Sequence, residues 1–367
     1  MSENKKSIRL WVDGVFDLCH WAHMNLFRQA RQLGDYLVVG VHSCEDIKKH
    51  KGPPVLNDEE RYEAVRGCKW VDEVVEGAPY ITDPELVKKY NCDYVVHGSD
   101  ATFSITEGDP YKKIKELGLY RTVPRTNGVS TTEIIGRFLL MDLKHLNREK
   151  NPIENVGIKE IGKMTQGSTE KEQTTLVSHY LPTTRRIVQF SDGKEPKGEE
   201  KVVYVDGVFD LFHAGHISFL KKAKEHGDYV LVGIHDDIVA NKQRGTNFPI
   251  MNLHERVLCV LGCRYVDEVI IGAPFNVTKK MIEDMNISKV LHGTTELRIP
   301  KDAPNPYKVP KDLGIYEEIE SVEKFNYMSE RQICMRVLEN RLIFDKRNKF
   351  RSDREENETE NEKNENN

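Results

Sequence analysis

The sequence predicts an α/β protein with two tandem domains, each a doubly wound parallel sheet. Short runs rich in Val and Ile alternate with helical runs along both halves of the 367-residue chain. The loop sequence VDGVFDLCHWAH at residues 12–23 returns almost unchanged as VDGVFDLFHAGH at residues 205–216. Strands that alternate with helices form parallel sheets, whose ligands bind beyond the carboxyl ends of the strands. Since both halves keep the order of the motifs, the repeat indicates a duplicated domain.

The elements of the first copy follow from its apolar pattern. Each strand is a short β-rich run, and each helix is a longer run with helical periodicity. The predicted strands cover residues 8–13, 36–42, 71–75 and 93–97, and the predicted helices cover residues 20–33, 59–68 and 84–90. The VDGVFD turn follows the first strand, which places it at the ligand-binding edge of the sheet.

The second copy repeats these elements in the same order. GDYVLVGIH at residues 227–235 corresponds to GDYLVVGVH at residues 34–42. After an insertion of two residues, ERVLCVLGCRYVDEVIIGAP at 255–274 corresponds to ERYEAVRGCKWVDEVVEGAP at 60–79. The repeat therefore extends well beyond a single shared loop.

These patterns divide the chain into four parts. We expect a first domain at residues 1–146 and a second domain at 201–348, separated by a polar linker at 147–200. Within that linker, the apolar residues of 181–190 are expected to pack onto a domain. The acidic tail at 349–367 has almost nothing to bury and is expected to be disordered.

The composition excludes several classes of protein. Residues 351–367 carry a net charge of −4 out of the total of −5, so the rest of the chain has no broad basic field for nucleic acid. No apolar run approaches the ~20 residues that cross a bilayer, and the start lacks the apolar core of a secretion signal. The seven cysteines form no CxxC pair, which favours reduced thiols in the cytoplasm over disulfides or a zinc site.

Paired histidines mark both copies of the loop. His20 and His23 are three residues apart at the start of a helix, and His213 and His216 repeat this spacing. Two imidazoles on one face of a helix N-terminus suit an anion, above all a phosphate chain. They could instead ligate a metal, but the spacing alone supplies no third ligand, and we expect no metal held by the protein.

Three motifs together make the sequence resemble the cytidylyltransferase family of nucleotidyltransferases. The first copy has DGVFDLCHWAH at 13–23, KWVDEV at 69–74 and RTNGVSTT at 125–132, where the family has DGVFDLxHxGH, RYVDEV and RTxGIST. The second copy has DGVFDLFHAGH at 206–216 and RYVDEV at 264–269. The resemblance implies Rossmann-like domains that transfer a cytidylyl group from CTP to a phosphate monoester, with Mg²⁺ accompanying the CTP phosphates.

Two tandem domains joined by a segment such as LPTTRRIVQFSDG resemble the family members that use phosphoethanolamine. The resemblance then implies the products CDP-ethanolamine and pyrophosphate, and a role in phosphatidylethanolamine synthesis. Phosphocholine stays open as an alternative acceptor, as do adenylyl transfer and a non-catalytic role as a nucleotide sensor. We expect small-molecule substrates, no nucleic-acid partner, and at most peripheral membrane association, in the cytoplasm or at the endoplasmic reticulum.

The implied reaction is mainly an electrostatic problem. A phosphate monoester has its second pKa at about 6, so it is mostly a dianion at neutral pH and needs no general base. Negative charge gathers instead on the α-phosphate and on the departing pyrophosphate, which calls for cations and N–H donors. The resemblance assigns this catalytic role to His20, His23, Lys51 and Arg125.

The same resemblance implies the binding residues of the first copy. Asp13, Tyr80 and Tyr111 are candidates for the aminoethyl end of the acceptor, because a carboxylate and aromatic faces hold an ammonium group. Tyr80 and Tyr111 are equally plausible as aromatic residues of the core. Ser130 and Thr131 would offer hydroxyl and N–H groups to the β- and γ-phosphates. The candidates for CTP binding are Val15, Phe16, His97, Gly98, Ser99, Asp100, Thr126, Gly128, Ser130 and Thr131.

The two copies differ at positions that matter for this chemistry. In the first copy, Ala22 and Cys44 stand where family members often have glycine and aspartate. In the second copy, Arg244 takes the position of Lys51, and EKFNYMSERQI at 323–333 replaces the RTxGIST motif. We therefore expect the first copy to be catalytic and the second to be a degenerate scaffold. A second nucleotide site would comprise Val208, Phe209, His213, His216, Arg244, His292, Gly293, Thr294 and Thr295.

The RYVDEV motif also suggests how the copies meet. The family resemblance implies that members with a single domain form dimers through this region. We therefore expect KWVDEV and RYVDEV to face each other within one chain, as an intramolecular pseudo-dimer. The alternative is that both stretches are strands buried in separate sheets. The basic amphipathic helix predicted at 331–351 is expected to pack on its own domain, the second, rather than on a membrane surface.

Overall fold

Each half of the chain folds around a parallel sheet of its own. The computed structural model describes residues 7–99, 108–126, 128–139, 186–245, 247–294, 299, 304–320 and 323–346. One unit comprises Met1–Met141 together with Tyr327–Asn367, and the other comprises Asp142–Asn326. Each unit contains a sheet of five strands flanked by helices, and the paired strands run parallel. The predicted class, two tandem parallel α/β domains, is confirmed.

The first unit follows the predicted order of elements. Its strands are β1 (Arg9–Gly14), β2 (Tyr36–His42), β3 (Glu73–Ala78), β4 (Tyr94–Gly98) and β5 (Tyr120–Val123). Its helices are α1 (Trp21–Arg31), α2 (Cys44–His50), α3 (Asp58–Arg66), α4 (Pro84–Lys89), α5 (Lys112–Glu116) and α6 (Thr131–Leu139). The sheet order is β3-β2-β1-β4-β5, so the carboxyl ends of β1, β4 and β5 lie at one edge.

The second unit repeats this topology. Its strands are β6 (Val202–Gly207), β7 (Tyr229–Ile234), β8 (Glu268–Ile271), β9 (Ile287–Gly293) and β10 (Tyr316–Ile319). Its helices are α7 (Ala214–Lys224), α8 (Asp237–Arg244), α9 (Leu253–Leu261), α10 (Lys279–Asp284) and α11 (Lys308–Asp312), followed by a 3₁₀ turn at Glu323–Phe325. The sheet order is β8-β7-β6-β9-β10, which matches the first unit strand for strand.

The central strand of each sheet is buried on both faces, as is usual for parallel sheets covered by helices. In β1, Leu10, Trp11 and Val12 are fully buried. Helix α1 covers the sheet with one apolar face, formed by Trp21, Met24, Phe27 and Ala30. This spacing of three residues matches the helical period and explains why α1 is predictable from the sequence.

Three short elements of the first unit are not apparent in the sequence pattern. Helices α2 and α5 have seven and five residues, and β5 has four, which is too short for a clear periodicity. Helix α2 is fixed instead by its cap, since the hydroxyl of Ser43 accepts a hydrogen bond from the N–H of Asp46 at 3.2 Å. This helix carries His50 and ends just before Lys51, so its position matters for the site.

The end of the predicted second domain belongs to the first unit, which corrects the boundary at 201–348. Helix α12 (Glu330–Glu339) carries Arg336, whose guanidinium binds Glu60 of α3 at 2.7 Å. The expectation that the helix at 331–351 packs on the second domain is therefore wrong. The physical reason is that a buried carboxylate of the first unit binds the arginine of this helix.

Part of the predicted linker is structured within the second unit. Residues 186–190 are helical and Phe190 is fully buried. The hydroxyl of Ser191 donates a hydrogen bond to Glu268 at 2.7 Å. The rest of the predicted linker, at 147–185, and the predicted tail at 349–367 lie outside the described residues, as do Asp100 and Thr295.

Candidate active site

The turn after β1 has a strained backbone that specific contacts hold in place. Phe16 and Leu18 adopt positive φ angles of 49° and 47°, a backbone conformation that residues other than glycine rarely adopt. Between them, the carboxylate of Asp17 accepts hydrogen bonds from the N–H groups of Val55 and Leu56 at 2.8 and 2.9 Å. These bonds tie the turn to the segment that precedes α3, and they fix the backbone that leads into the histidine pair.

Arg61 also holds this turn in place, through a hydrogen bond to its backbone. Its side chain is fully buried, and one guanidinium nitrogen donates to the carbonyl of Val15 at 2.8 Å. The other donates to Asp58 at 2.6 Å, and the sulfur of Cys44 lies 3.5 Å from the same nitrogen. Burial raises the pKa of the Cys44 thiol, and the hydrogen bond from Arg61 opposes this shift. Cys44 thus serves as a neutral neighbour of a buried cation.

The two histidines of the first copy form a stacked pair at the start of α1. Their ring centroids lie 3.9 Å apart with an interplanar angle of 26°. Phe16 packs edge-on against His23 at 5.5 Å. The N–H of His20 donates to Nδ1 of His23 at 3.3 Å, so Nε2 carries the proton of a neutral His23. The Nε2–H group of the His23 ring is a donor of the kind that suits an anion at a helix N-terminus.

The segment that carries Arg125 is bound to the histidine helix. Asn25 of α1 donates to the hydroxyl of Thr126 at 2.7 Å. The N–H of Arg125 donates to the hydroxyl of Ser99, just after β4, at 3.2 Å. The segment after β5, the end of β4 and the start of α1 therefore meet at the carboxyl edge of the sheet, as the sequence predicts.

The start of α6 is joined to the turn after β1. The hydroxyl of Thr131 donates to the carbonyl of Asp17 at 3.0 Å, and the hydroxyl of Ser130 accepts from the N–H of Glu133 at 3.1 Å. The preceding Gly128 has a φ of 100°, which only glycine adopts readily. The hydroxyls that were predicted to bind phosphate thus position the helix, and the N–H groups of its first turn are the donors that suit an anion.

A buried carboxylate lies beside this loop system. Asp13 is 2% exposed, and its side chain accepts a hydrogen bond from Nε1 of Trp11 at 3.0 Å. The hydroxyls of Thr82 and Tyr111 donate to the same carboxylate. Burial raises the pKa of Tyr111, and the neighbouring charge of Asp13 raises it further, so this hydroxyl stays protonated and donates. Of the roughly four acceptor positions of a carboxylate, the described residues occupy three.

Tyr80 forms an aromatic wall beside His42, with the two ring centroids 5.3 Å apart. It is 4% exposed, and its ring stacks on His50 with centroids 4.4 Å apart. The ammonium of Lys51 lies 5.4 Å from the centre of the same ring. Burial lowers the pKa of His42, the charge of Asp13 opposes that shift, and the charge of Lys51 adds to it. His42 therefore lies within the electrostatic reach of both Lys51 and Asp13.

The second unit preserves the turn and its supports. Phe209 and Leu211 have φ angles of 50° and 49°. The carboxylate of Asp210 accepts from the N–H groups of Ile250 and Met251 at 2.6 and 2.9 Å, as Asp17 does in the first unit. The duplication has thus kept the backbone scaffold of the site in both copies.

The histidine pair of the second unit is equally well preserved. The rings of His213 and His216 lie 3.9 Å apart at 26°, as in the first unit. Burial lowers the pKa of His216 well below its usual value, and the charges of His213 and Arg244 lower it further. Arg244, the counterpart of Lys51, therefore acts electrostatically on the histidine pair of its own unit.

The pocket beside the second loop has lost one polar donor, the hydroxyl of Thr82. Asp206 corresponds to Asp13 and accepts a hydrogen bond from Tyr307, the counterpart of Tyr111. Tyr204 stands in the position of Trp11, and Val277 stands in the position of Thr82. Burial raises the pKa of Asp206. His292, Gly293 and Thr294 lie at or just after the end of β9, as predicted.

Several residues of the site were missed by the sequence reasoning. They are His42, which lies near Asp13; His50, which stacks on Tyr80; Thr82, which binds Asp13; and Asp17 and Arg61, which hold the turn. A signal was available for three of them, because the repeat pairs His42 with His235, Asp17 with Asp210 and Arg61 with Arg256. No such signal marks His50 or Thr82.

Within the described part of the chain, no group of three or more His, Cys, Asp or Glu side chains is arranged to hold a metal ion. Across the same residues, no helix is both long and apolar enough to span a membrane.

Together, the doubled parallel fold and the histidine-bearing turns at the strand ends define a nucleotidyltransferase. The family model described as cytidylyltransferase-like matches residues 11–137 and 204–323. The chain belongs to this cytidylyltransferase-like family, with one copy of the family domain in each unit.

Curated relatives match the chain to different extents. Ethanolamine-phosphate cytidylyltransferase of Dictyostelium discoideum is 50% identical, over 96% of each chain. The mouse protein of the same name is 42% identical, over 96% of this chain and 91% of the relative. Choline-phosphate cytidylyltransferase A of Rattus norvegicus is 41% identical, but over 37% of each chain.

Proposed function

We propose that the protein transfers the cytidylyl group of CTP to phosphoethanolamine, giving CDP-ethanolamine and pyrophosphate for phosphatidylethanolamine synthesis. The observation that carries this proposal is the extent of the similarity. Relatives named for this activity match 96% of the chain, including both copies of the domain, whereas two relatives named for choline-phosphate match 50% and 37% of it.

The pocket around Asp13 supports phosphoethanolamine as the acceptor. An ammonium group can donate a hydrogen bond to the remaining acceptor position of the Asp13 carboxylate, with the Tyr80 ring as a cation-binding wall. The trimethylammonium group of phosphocholine has no N–H, so it cannot make this bond and would leave a buried acceptor unpaired. The carboxylate and its three donors therefore favour the primary amine.

In the proposed reaction, a phosphate oxygen of phosphoethanolamine attacks the α-phosphorus of CTP. The bond from that phosphorus to the bridging oxygen breaks, and pyrophosphate leaves with the electron pair. His20 and His23 would donate to the α-phosphate and the leaving group, while Lys51 would hold the nucleophile against the α-phosphate. Because the nucleophile is already a dianion, no side chain has to remove a proton.

The β- and γ-phosphates are proposed to bind at the start of α6. The N–H groups of that helix turn and the side chain of Arg125 supply donors and positive charge there. His97, Gly98, Ser99 and Thr126 would border the nucleotide at the ends of β4 and β5. Mg²⁺ is proposed to accompany CTP as part of the substrate, and it would neutralise negative charge on the leaving pyrophosphate.

The second domain is proposed to be non-catalytic. A single donor to developing negative charge contributes about 10²–10³ in rate, and this unit lacks the arginine and the hydroxyl-rich helix start together. Its histidine pair and Arg244 could still bind a nucleotide. Calorimetric titration with CTP would distinguish the two cases, since one site per chain indicates a pure scaffold and two sites indicate a binding role.

We also propose that the two domains pair as an intramolecular pseudo-dimer through KWVDEV and RYVDEV. The support is the duplication itself, together with the position of β3 and β8 at the outer edges of their own sheets. Cysteines introduced at Lys69 and Arg264 should close a disulfide in the native state. Failure to cross-link under oxidising conditions would contradict the pairing.

We propose a cytoplasmic protein that associates peripherally, at most, with the endoplasmic reticulum, where membrane enzymes would use its product. Cell fractionation tests this point, because recovery mainly in a salt-resistant membrane pellet would contradict it.

The decisive experiment for the function is pyrophosphate release by the purified chain with four substrate pairs. CTP or ATP is combined with phosphoethanolamine or phosphocholine, and kcat/KM is measured side by side. We expect CTP with phosphoethanolamine to be preferred. A preference for phosphocholine would change the acceptor, a preference for ATP would change the nucleotide, and absence of turnover would favour a nucleotide sensor.

A further inference from the structure

A buried carboxylate in the first unit is bound by the far end of the chain. Glu60 of α3 is fully buried, and Arg336 of α12 grips it with two nitrogens at 2.7 and 2.8 Å. The hydroxyl of Tyr327 donates to the same carboxylate at 2.8 Å. Both partners come from a segment that follows the whole second domain, yet this segment is part of the first unit.

The same carboxylate closes the cap of α3. It accepts a hydrogen bond from the N–H of Asn57 at 2.9 Å, while the side chain of Asn57 accepts from the N–H of Glu60 at 3.0 Å. This reciprocal arrangement is a capping box, which fixes the first turn of a helix. Glu60 therefore joins Arg336 to the N-terminus of α3.

The N-terminus of α3 in turn holds the histidine-bearing turn. Val55 and Leu56, directly before Asn57, donate their N–H groups to Asp17. Arg61, directly after Glu60, donates to the carbonyl of Val15. Two attachments of the β1 turn thus lie within a few residues of the carboxylate that Arg336 binds, and a third comes from Thr131 of α6.

Stability alone is a weak explanation for this ion pair. Removing a charge such as Glu60 from water is expensive, and buried ion pairs can often be replaced by apolar residues without loss of stability. A bidentate arginine grip, however, fixes both the distance and the orientation of a carboxylate. This pair is better suited to placing the helix start accurately than to holding the fold together.

We propose that Arg336 is a positioning residue for cytidylyl transfer in the first domain. Through Glu60 it fixes the start of α3, and through Asp17 and Arg61 it fixes the turn that leads to His20. The catalytic domain is then incomplete without a segment encoded beyond the second domain. The inference rests on the proposed function for its catalytic consequence, but its structural part can be tested without turnover.

The first test measures activity per folded molecule for Arg336→Ala, well below the temperature at which the variant unfolds. A shift of the catalytic groups by about 1 Å costs up to about 10²-fold in rate. We expect kcat to fall between about tenfold and 10²-fold, with KM for CTP changed much less. Arg341→Ala is the matched control, because Arg341 lies on the same segment and pairs with Asp345 at the surface.

The second test is amide hydrogen exchange, for which the duplication supplies an internal control. In Arg336→Ala, the N–H groups of Val55 and Leu56 should exchange faster, whereas those of Ile250 and Met251 in the second unit should not change. If the wild-type chain fails to turn over CTP, the proposed function falls, and the exchange result still decides whether Arg336 fixes the turn.

A double variant keeps the test decisive if the single variant folds poorly. Glutamine can keep the capping box while removing the unpaired charge, so Arg336→Ala with Glu60→Gln should fold better than Arg336→Ala alone. We expect its kcat to remain reduced, because the bidentate grip is still missing. Wild-type kcat and unchanged exchange at Val55 and Leu56 in either variant would overturn the inference.

Discussion

Two buried arginines hold equivalent turns but take their carboxylate partners from different positions. Arg61 pairs with Asp58 at 2.6 Å, and Arg256 pairs with Asp237 at 2.7 Å. The repeat aligns Asp237 with Cys44, not with Asp58. The two copies therefore neutralise the same buried cation by different routes, which explains why Cys44 departs from the family pattern without loss of the turn.

This arrangement predicts a rescue between neighbouring residues. Asp58→Leu copies the second unit, which has Leu253 at this position, and should destabilise the first unit by about 1–3 kcal/mol because Arg61 loses a charged acceptor. Adding Cys44→Asp should recover most of that loss. Urea unfolding followed by tryptophan fluorescence measures the free energy of unfolding of each variant. Equal stability of the single and double variants would contradict the idea that an aspartate at position 44 can replace Asp58 as the partner of Arg61.

The second unit should lose stability as the pH falls below about 6.5. Burial and two neighbouring cationic groups lower the pKa of His216, so the folded state resists protonation. Below about 6.5, the value expected in the unfolded chain, the unfolded state binds one proton more than the folded state. Stability then decreases by about 1.4 kcal/mol for each pH unit from this residue alone.

His216→Gln provides the corresponding measurement. Hydrogen exchange of the slowest β6 amides between pH 6.5 and pH 5, corrected for intrinsic rates, should show a pH dependence one proton smaller than in the wild type. If the slope is unchanged, a different group titrates in this range. The pH dependence of the first unit serves as the reference in the same sample.

At the level of elements, two glycines near α6 should respond in opposite ways to the same substitution. Among the described residues, no atom beyond the adjacent backbone lies within 4 Å of a Cβ built on Gly128 or Gly136, but Gly128 has a φ of 100° and Gly136 lies within the helix. Gly128→Ala should destabilise by about 1–2 kcal/mol through backbone strain and should raise KM for CTP. Gly136→Ala should stabilise by about 1 kcal/mol.

Thermal unfolding and steady-state kinetics of the two variants check this contrast. Since both add one methyl group to the same short stretch, each is the control for the other. A destabilisation of similar size in both would mean that crowding, not backbone conformation, determines the effect.

The elements that the sequence predicts are those with a strong local signal. β1, β2 and α1 have clear apolar patterns, and the structure places them within a few residues of the predicted bounds. α2 and β5 are too short for periodicity, and they are defined by a cap and by pairing with β4. Local pattern cannot reveal an element whose stability comes from its neighbours in space.

The residues of the candidate site also fall into two groups, those in local sequence motifs and those that only tertiary contacts reveal. The repeated loop and RTNGVSTT are local motifs, and the structure brings their surroundings together through contacts such as Thr131 with Asp17. The contacts of His50 with Tyr80 and of Arg336 with Glu60 join residues that are distant in sequence. A single sequence contains no direct information on such pairs, so they become visible only in the folded chain.

At the level of the whole molecule, the two domains share a backbone scaffold but differ in candidate catalytic residues, since Arg244 replaces Lys51 and the second copy has no RTNGVSTT motif. We expect His20→Ala to lower kcat by about 10²–10³ and His213→Ala to lower it much less, because we propose that catalysis takes place in the first unit. Pyrophosphate release by the two purified variants is the measurement. Equal losses would mean that both domains catalyse.

The position of Arg336 has a consequence for how the protein is made. Its partner Glu60 leaves the ribosome 276 residues earlier, which corresponds to roughly 14–55 s of synthesis. During that time Glu60 lacks the two side chains that bind its carboxylate from this segment, Tyr327 and Arg336. A stop codon just before Arg336 would keep the sequence motifs of both domains but remove this partner of Glu60, so the shortened protein should lose cytidylyl transfer activity at least as far as Arg336→Ala does.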